Sequence, residues 1–63
     1  MNGKVQSLHP RAQSTAYSLI DSYGDAALPL TQSRIDEKIR EGDAEGALEM
    51  DQVRREVVAL LKT

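Results

Sequence analysis

A Gly-Asp pair occurs twice in this chain, at Gly24-Asp25 within "SYGDAAL" and at Gly42-Asp43 within "REGDAEGALEMDQ". Glycine beside a carboxylate can build phosphate and calcium loops, so those chemistries are tested first. A phosphate loop needs several glycines and a lysine leading into a helix after a strand, and neither a G-x-x-x-x-G-K-[ST] run nor a preceding strand pattern is present. A calcium loop opening at Asp43 requires glutamate at its twelfth position, where Arg54 stands; one opening at Asp25 requires glycine at its sixth, where Leu30 stands. The pairs are therefore read as helix punctuation. A glycine can take the left-handed conformation that closes one helix, and an aspartate after it can accept the free N–H groups of the next. Gly24 and Gly42 are expected to end helices, and Asp25 and Asp43 to cap their successors.

The remaining chemical groups are less specific. His9 is the only histidine; beside Pro10 it reads as a solvated or capping residue, because a metal site needs two or three further ligands held in place. Asp36, Glu37, Glu41, Asp43, Glu45, Glu49 and Asp51 are interleaved with Arg34, Lys38, Arg40, Arg54 and Arg55, the pattern of a solvated mixed-charge surface. Carboxylate catalysis would need such groups to converge in a concave pocket, for which a unit this small has little room. No catalytic residue, metal or cofactor is expected, and the chain reads as a non-enzyme.

Three helical periods must carry these groups. From Pro10 to Tyr23, Ala12, Ala16, Leu19, Ile20 and Tyr23 form one apolar stripe, with Pro10 suited to a first turn. A second helix, about 26–41, carries Leu28, Ile35 and Ile39 on one face and an Asp36/Arg40 pair on its flank; Pro29 is expected either to make its first turn irregular or to start the regular helix itself. Leu30 points nearly opposite to Leu28 and Ile35 and would be exposed on an isolated monomer. A third helix, about 44–62, has Ala47, Met50, Val53, Val57, Leu60 and Leu61 on its inner face. Adding Val58 widens that stripe to about 160°, broader than an ordinary surface helix needs.

Short joints make antiparallel neighbours, so the expected fold is all-α: a single helical domain over 9–63 built as a small three-helix unit, after a flexible segment at 1–8. The alternative is a hairpin of two long helices stable only as a dimer or in a complex. With no Trp, Phe or Cys among 63 residues, the core must come from small aliphatic side chains without disulfide help, and a chain of this size is only marginally stable alone. A protein partner, either another copy or a larger protein, is the expected remedy. The contact is placed at Leu30, Tyr17, Val58, Leu61 and Arg54, since Leu30 and Tyr17 lie off the stripes and the others border the wide one.

The opening "MNGKVQSLHPR" has no apolar run of the kind a secretion signal needs, nor does any run of about 20 apolar residues exist. The expected setting is the cytoplasm, with no membrane insertion. The net charge of -2 offers no strong footprint for phosphate, and Asp43, Glu45 and Glu49 would repel it from the start of the third helix. Nucleic acid is thus an unlikely partner. The alternative class, a small DNA-binding regulator or antitoxin-like protein, rests on Thr31, Gln32, Ser33 and Arg34 near the start of the second helix.

The joints in "SLIDSYGDAAL" and "RIDEKIREGDAEGALEMDQV", followed by "VVALL", resemble a group of small helical bacterial proteins of unknown function. The resemblance covers about residues 12 to 61 and implies helical architecture and a cytoplasmic bacterial setting. It carries no activity. Where that group usually has tryptophan, this chain has Met50, a more adaptable core filler.

Overall fold

A computed structural model of the chain describes residues 10–62. They form α1 (Pro10–Tyr23), a single 3-10 turn (Gly24–Ala26), α2 (Ala27–Arg40) and α3 (Ala44–Lys62), with no strand among the described residues. The fold is all-α. The readings of residues 1–8 as a flexible segment and of His9 as a cap lie outside the described residues.

The two joints are both built on glycine but are closed differently. Gly24 has φ 60° and Gly42 has φ 78°, the left-handed region that other residues enter only with strain. At Gly42 the closure is complete: its N–H donates to the Ile39 carbonyl at 3.0 Å and the Asp43 N–H donates to the Lys38 carbonyl at 2.9 Å. These are the two bonds of a Schellman motif, and they satisfy carbonyls that the end of α2 would otherwise leave bare. Asp43 then starts α3, its Oδ1 accepting the Gly46 N–H at 2.9 Å.

At the first joint the expected cap is absent. Asp25 lies inside the 3-10 turn, and the residue that precedes α2 is Ala26, which has no side-chain capping bond. The reason is geometric. The chain continues from Gly24 directly into a tight helical turn, so the orphan N–H groups that a cap would serve lie within that turn rather than after Asp25. Pro29 occupies the third position of α2, where a missing N–H removes no bond within that helix.

Helix α3 packs against both α2 and α1, while α1 and α2 touch each other far less. The buried residues are Ala12, Ala16 and Leu19 of α1, Ala27 and Thr31 of α2, and Val53 and Val57 of α3. Ile20, Leu28, Leu30, Met50 and Leu60 pack around them, each partly exposed. The largest side chains fully withdrawn from water are Val57 and Thr31. Burial of the Thr31 hydroxyl is made tolerable by its donation to the Leu28 carbonyl at 2.7 Å.

Three expectations about the core need correction, and one rotation explains two of them. The buried line of α2 runs through Ala27 and Thr31, whereas the stripe Leu28, Ile35, Ile39 is centred about 80° away on the wheel. Small residues allow neighbouring helices to approach, and the larger side chains flank the contact. Leu30, on one flank, is therefore half-buried against the core instead of exposed, and Ile39, beyond the other flank, is 62% exposed. Tyr23 continues the α1 stripe yet is 52% exposed, at the last residue of α1.

Candidate functional site

The densest polar construction in the described chain surrounds Asp43. Besides capping α3, its Oδ2 lies 3.7 Å from Lys38 Nζ, an ion pair across the joint from α2 to α3. Gly46 makes this possible. A methyl group on Gly46 would come 2.8 Å from the Asp43 carboxyl carbon and 3.0 Å from Lys38 Cδ, closer than atoms settle. The joint is thus a cap, a backbone closure and an ion pair that share one carboxylate, and all of that carboxylate's visible contacts are structural.

Beside the joint an open groove of about 630 Å³ runs between the start of α1 and the first half of α3, with Arg11, Thr15, Lys38, Glu49 and Met50 among its walls. It mixes charge of both signs with aliphatic surface. Among the described residues, no cluster of three or more His, Cys, Asp or Glu is placed to hold a metal ion.

On the other side of α3 a charged ladder lies along one helix. Asp51 Oδ1 accepts from Arg54 Nε at 3.1 Å and from Arg54 Nη2 at 2.9 Å, and Asp51 Oδ2 accepts from Arg55 Nε at 3.0 Å. These i,i+3 and i,i+4 spacings bring the groups together on adjacent turns. The Arg54 guanidinium, assisted by Arg55, holds the Asp51 carboxyl below its ordinary value against a burial effect of opposite sign. A carboxylate so held is a poor proton acceptor near neutrality. Asp51 and Arg54 also wall a shallow recess of about 240 Å³ with Gln32, Ile35 and Asp36 of α2.

The structure distributes the five residues expected to meet a partner. Tyr17 stands 56% exposed on α1, off the buried line. Leu30 packs against the core and is half-buried. Arg54 is engaged by Asp51, Val58 is half-buried, and Leu61 lies exposed near the end of α3. Arg54, Val58 and Leu61 share one side of α3, while Tyr17 belongs to a different helix. Asp36 and Arg40, expected as a flanking pair, form no ion pair among the described residues.

Sequence reasoning overlooked two exposed apolar side chains, Ile39 and Leu48; the latter is 61% exposed. For Leu48 a signal existed: it lies about 160° from Met50 on the wheel, outside the α3 stripe. For Ile39 there was none, because its periodicity with Ile35 imitates a core position.

No protein-family model matches the chain, and neither does any curated protein or solved structure. Among the described residues no helix is long and apolar enough to cross a membrane.

Proposed function

We propose that this chain is a small non-enzymatic interaction module, acting through association with another copy of itself or as an accessory subunit of a larger protein. The carrying observation is the inversion of side-chain size between core and surface. Among the described residues nothing larger than Val57 or Thr31 is fully buried, while Ile39, Leu48, Tyr17 and Tyr23 stand more than half exposed. Each large apolar side chain that a partner covers contributes roughly 1.5–3 kcal/mol, a substantial amount beside the few kcal/mol by which a domain of this size is stable. In this reading the three segments act as one three-helix unit. The alternative arrangement is a hairpin of two long helices completed by a dimer partner or within a complex. The resemblance at the joints would place the protein in a bacterial cytoplasm.

The test is thermal unfolding followed by circular dichroism over a wide range of chain concentration. Self-association that involves only the folded chain raises the midpoint as concentration rises. A midpoint independent of concentration removes self-association and leaves only a larger partner. Titration with duplex DNA at low salt tests the competing regulator class. Binding that weakens steeply with salt and is lost in Arg34→Glu would replace the present reading.

A further inference from the structure

The buried lines of α1 and α2 run in phase, as though they belonged to one helix. Carried through the joint at about 100° per residue, Ala12, Ala16, Leu19, Ile20, Tyr23, Ala27, Leu30 and Thr31 fall within about 120° of one another. Between Ala12 and Thr31 that arc admits only Gln13 besides, and Leu28 stands about 60° outside it. Two helices that fold separately have no need of a shared phase, because the joint re-aims the second whatever the first presents. One continuous helix does need it. Tyr23 lies near the middle of the arc, yet in the bent chain it is 52% exposed.

The joint at Gly24 is also the less secured of the two. Gly42 is closed by its backbone pair, the Asp43 cap and the Lys38–Asp43 ion pair, whereas at Gly24 no side chain caps a helix and no described ion pair crosses. What holds α1 in place is its packing on α3, since it touches α2 far less. An α1 from another copy would make the same contact. Gly24 has the joint's positive φ, 60°, so its rotation, with relaxation of the 3-10 turn, swings α1 outward. Pro29 opposes a straightened arm, because inside a continuous helix it removes one bond and presses on the Asp25 carbonyl. It sits about 140° from the middle of the arc, on the outer side, where a kink curves the helix toward whatever its stripe packs on.

We propose, on the basis of the association reading above, that the partner is a second copy of this chain engaged by exchange of α1. The Gly24–Ala26 joint opens, and α1 of each copy packs on α3 of the other. In the closed chain α1 starts beside the α2–α3 joint and ends at Gly24, so it runs back along α2. After exchange the two opened arms are therefore antiparallel, with their joints at the two-fold axis, where Tyr23 of one copy is covered by the same region of the other. The packing of the closed chain is kept, the joint-to-joint contact is gained, and the bond that Pro29 cannot make is lost. That loss keeps the dimer weak.

Sedimentation equilibrium of the full synthetic chain from about 1 µM to about 1 mM tests this, with dimer expected toward the upper end. Pro29→Ala removes the obstacle to the opened arm and should tighten dimerisation at least about a hundredfold. Gly24→Ala as the L enantiomer penalises the bent joint and should tighten it at least about tenfold. Gly24→D-Ala, at ease at positive φ, should weaken it while the monomer stays helical. Spin labels on Thr15→Cys and Lys38→Cys, whose positions line one groove in the closed chain, follow the arm itself. In labelled chains diluted into unlabelled ones, their separation should approach ~34 Å on dimerisation, the span of twenty-three helical residues (38 − 15). Dimerisation that is indifferent to Pro29→Ala and to handedness at position 24, with the labels still close, overturns the exchange and leaves self-association standing. Wild-type and Pro29→Ala chains that both stay helical and monomeric throughout overturn the two readings together.

Discussion

The Gly46 N–H lies 2.9 Å from Asp43 Oδ1 while the other oxygen of that carboxylate faces Lys38, and only the absence of a side chain on Gly46 lets both contacts coexist. In isolation Gly46→Ala should stabilise an early turn of α3 by about 1 kcal/mol through helix propensity. Here the added methyl must displace the carboxylate, and loss of an N-cap costs about 1 kcal/mol. Gly46→Ala is therefore expected to be neutral or destabilising in the wild type, yet stabilising by about 1 kcal/mol when Asp43 is already alanine. Urea unfolding of the four chains measures this coupling. Additive effects would mean that the carboxylate yields without cost.

The left-handed glycines give a prediction about chirality. An L-alanine at Gly24 or Gly42 must adopt a positive φ at a cost of about 1–2 kcal/mol, although apart from its chain neighbours no described atom lies within 4 Å of where its methyl would sit. A D-alanine is at ease in that region and restricts the unfolded chain, so it should stabilise by roughly 0.4–1 kcal/mol. Synthetic chains bearing either enantiomer at Gly24, compared by thermal unfolding, should bracket the wild type. If both lower the midpoint, the joint is not held in the described conformation.

Acid should act selectively through Asp51. Its folded value is depressed below the reference of 3.8, so its contribution is fully present above the unfolded value and disappears as pH falls through the folded one. At neutral pH, Asp51→Asn is expected to cost about 0.5–1 kcal/mol for the two helix pairs it removes. The gap from the wild type should stay constant above about pH 5 and close as the pH approaches about 2. Stability curves at several pH values check the sign. A gap that widens on acidification contradicts the assignment.

The core and surface should respond oppositely to truncation. Val57 is fully buried, and Val57→Ala is expected to cost about 2 kcal/mol through lost transfer energy and the cavity it leaves. Ile39→Ser, measured in dilute solution, should change stability by no more than about 0.5 kcal/mol. Urea midpoints for the two variants decide it. Comparable losses would mean that Ile39 is covered even in the dilute chain.

Local interactions account for what could be read in advance. Glycine and aspartate at a joint act on the backbone beside them, so the second joint could be described without knowing what packs on it. The first could be only half described. Gly24 takes the expected conformation, but whether Asp25 becomes a cap depends on the 3-10 turn that follows, which no single residue announces.

The α1 and α3 stripes were legible because aliphatic residues recur on the sides that face neighbours. The rotation of α2 was not legible, since its closest contact is made by Ala27 and Thr31, which add little to an apolar pattern. Hydrophobic periodicity registers large side chains, whereas close helix packing favours small ones on the contact line.

The amino-acid sequence by itself determined that the described chain would be helical, where its joints would fall and that its core would be poor in large side chains. These follow from propensity, capping and composition, each of which acts within a few residues. Only the tertiary structure decided how α2 is turned about its own axis. That turn draws Leu30 inward and leaves Ile39 outside, because burial depends on which sides of three helices can be satisfied together.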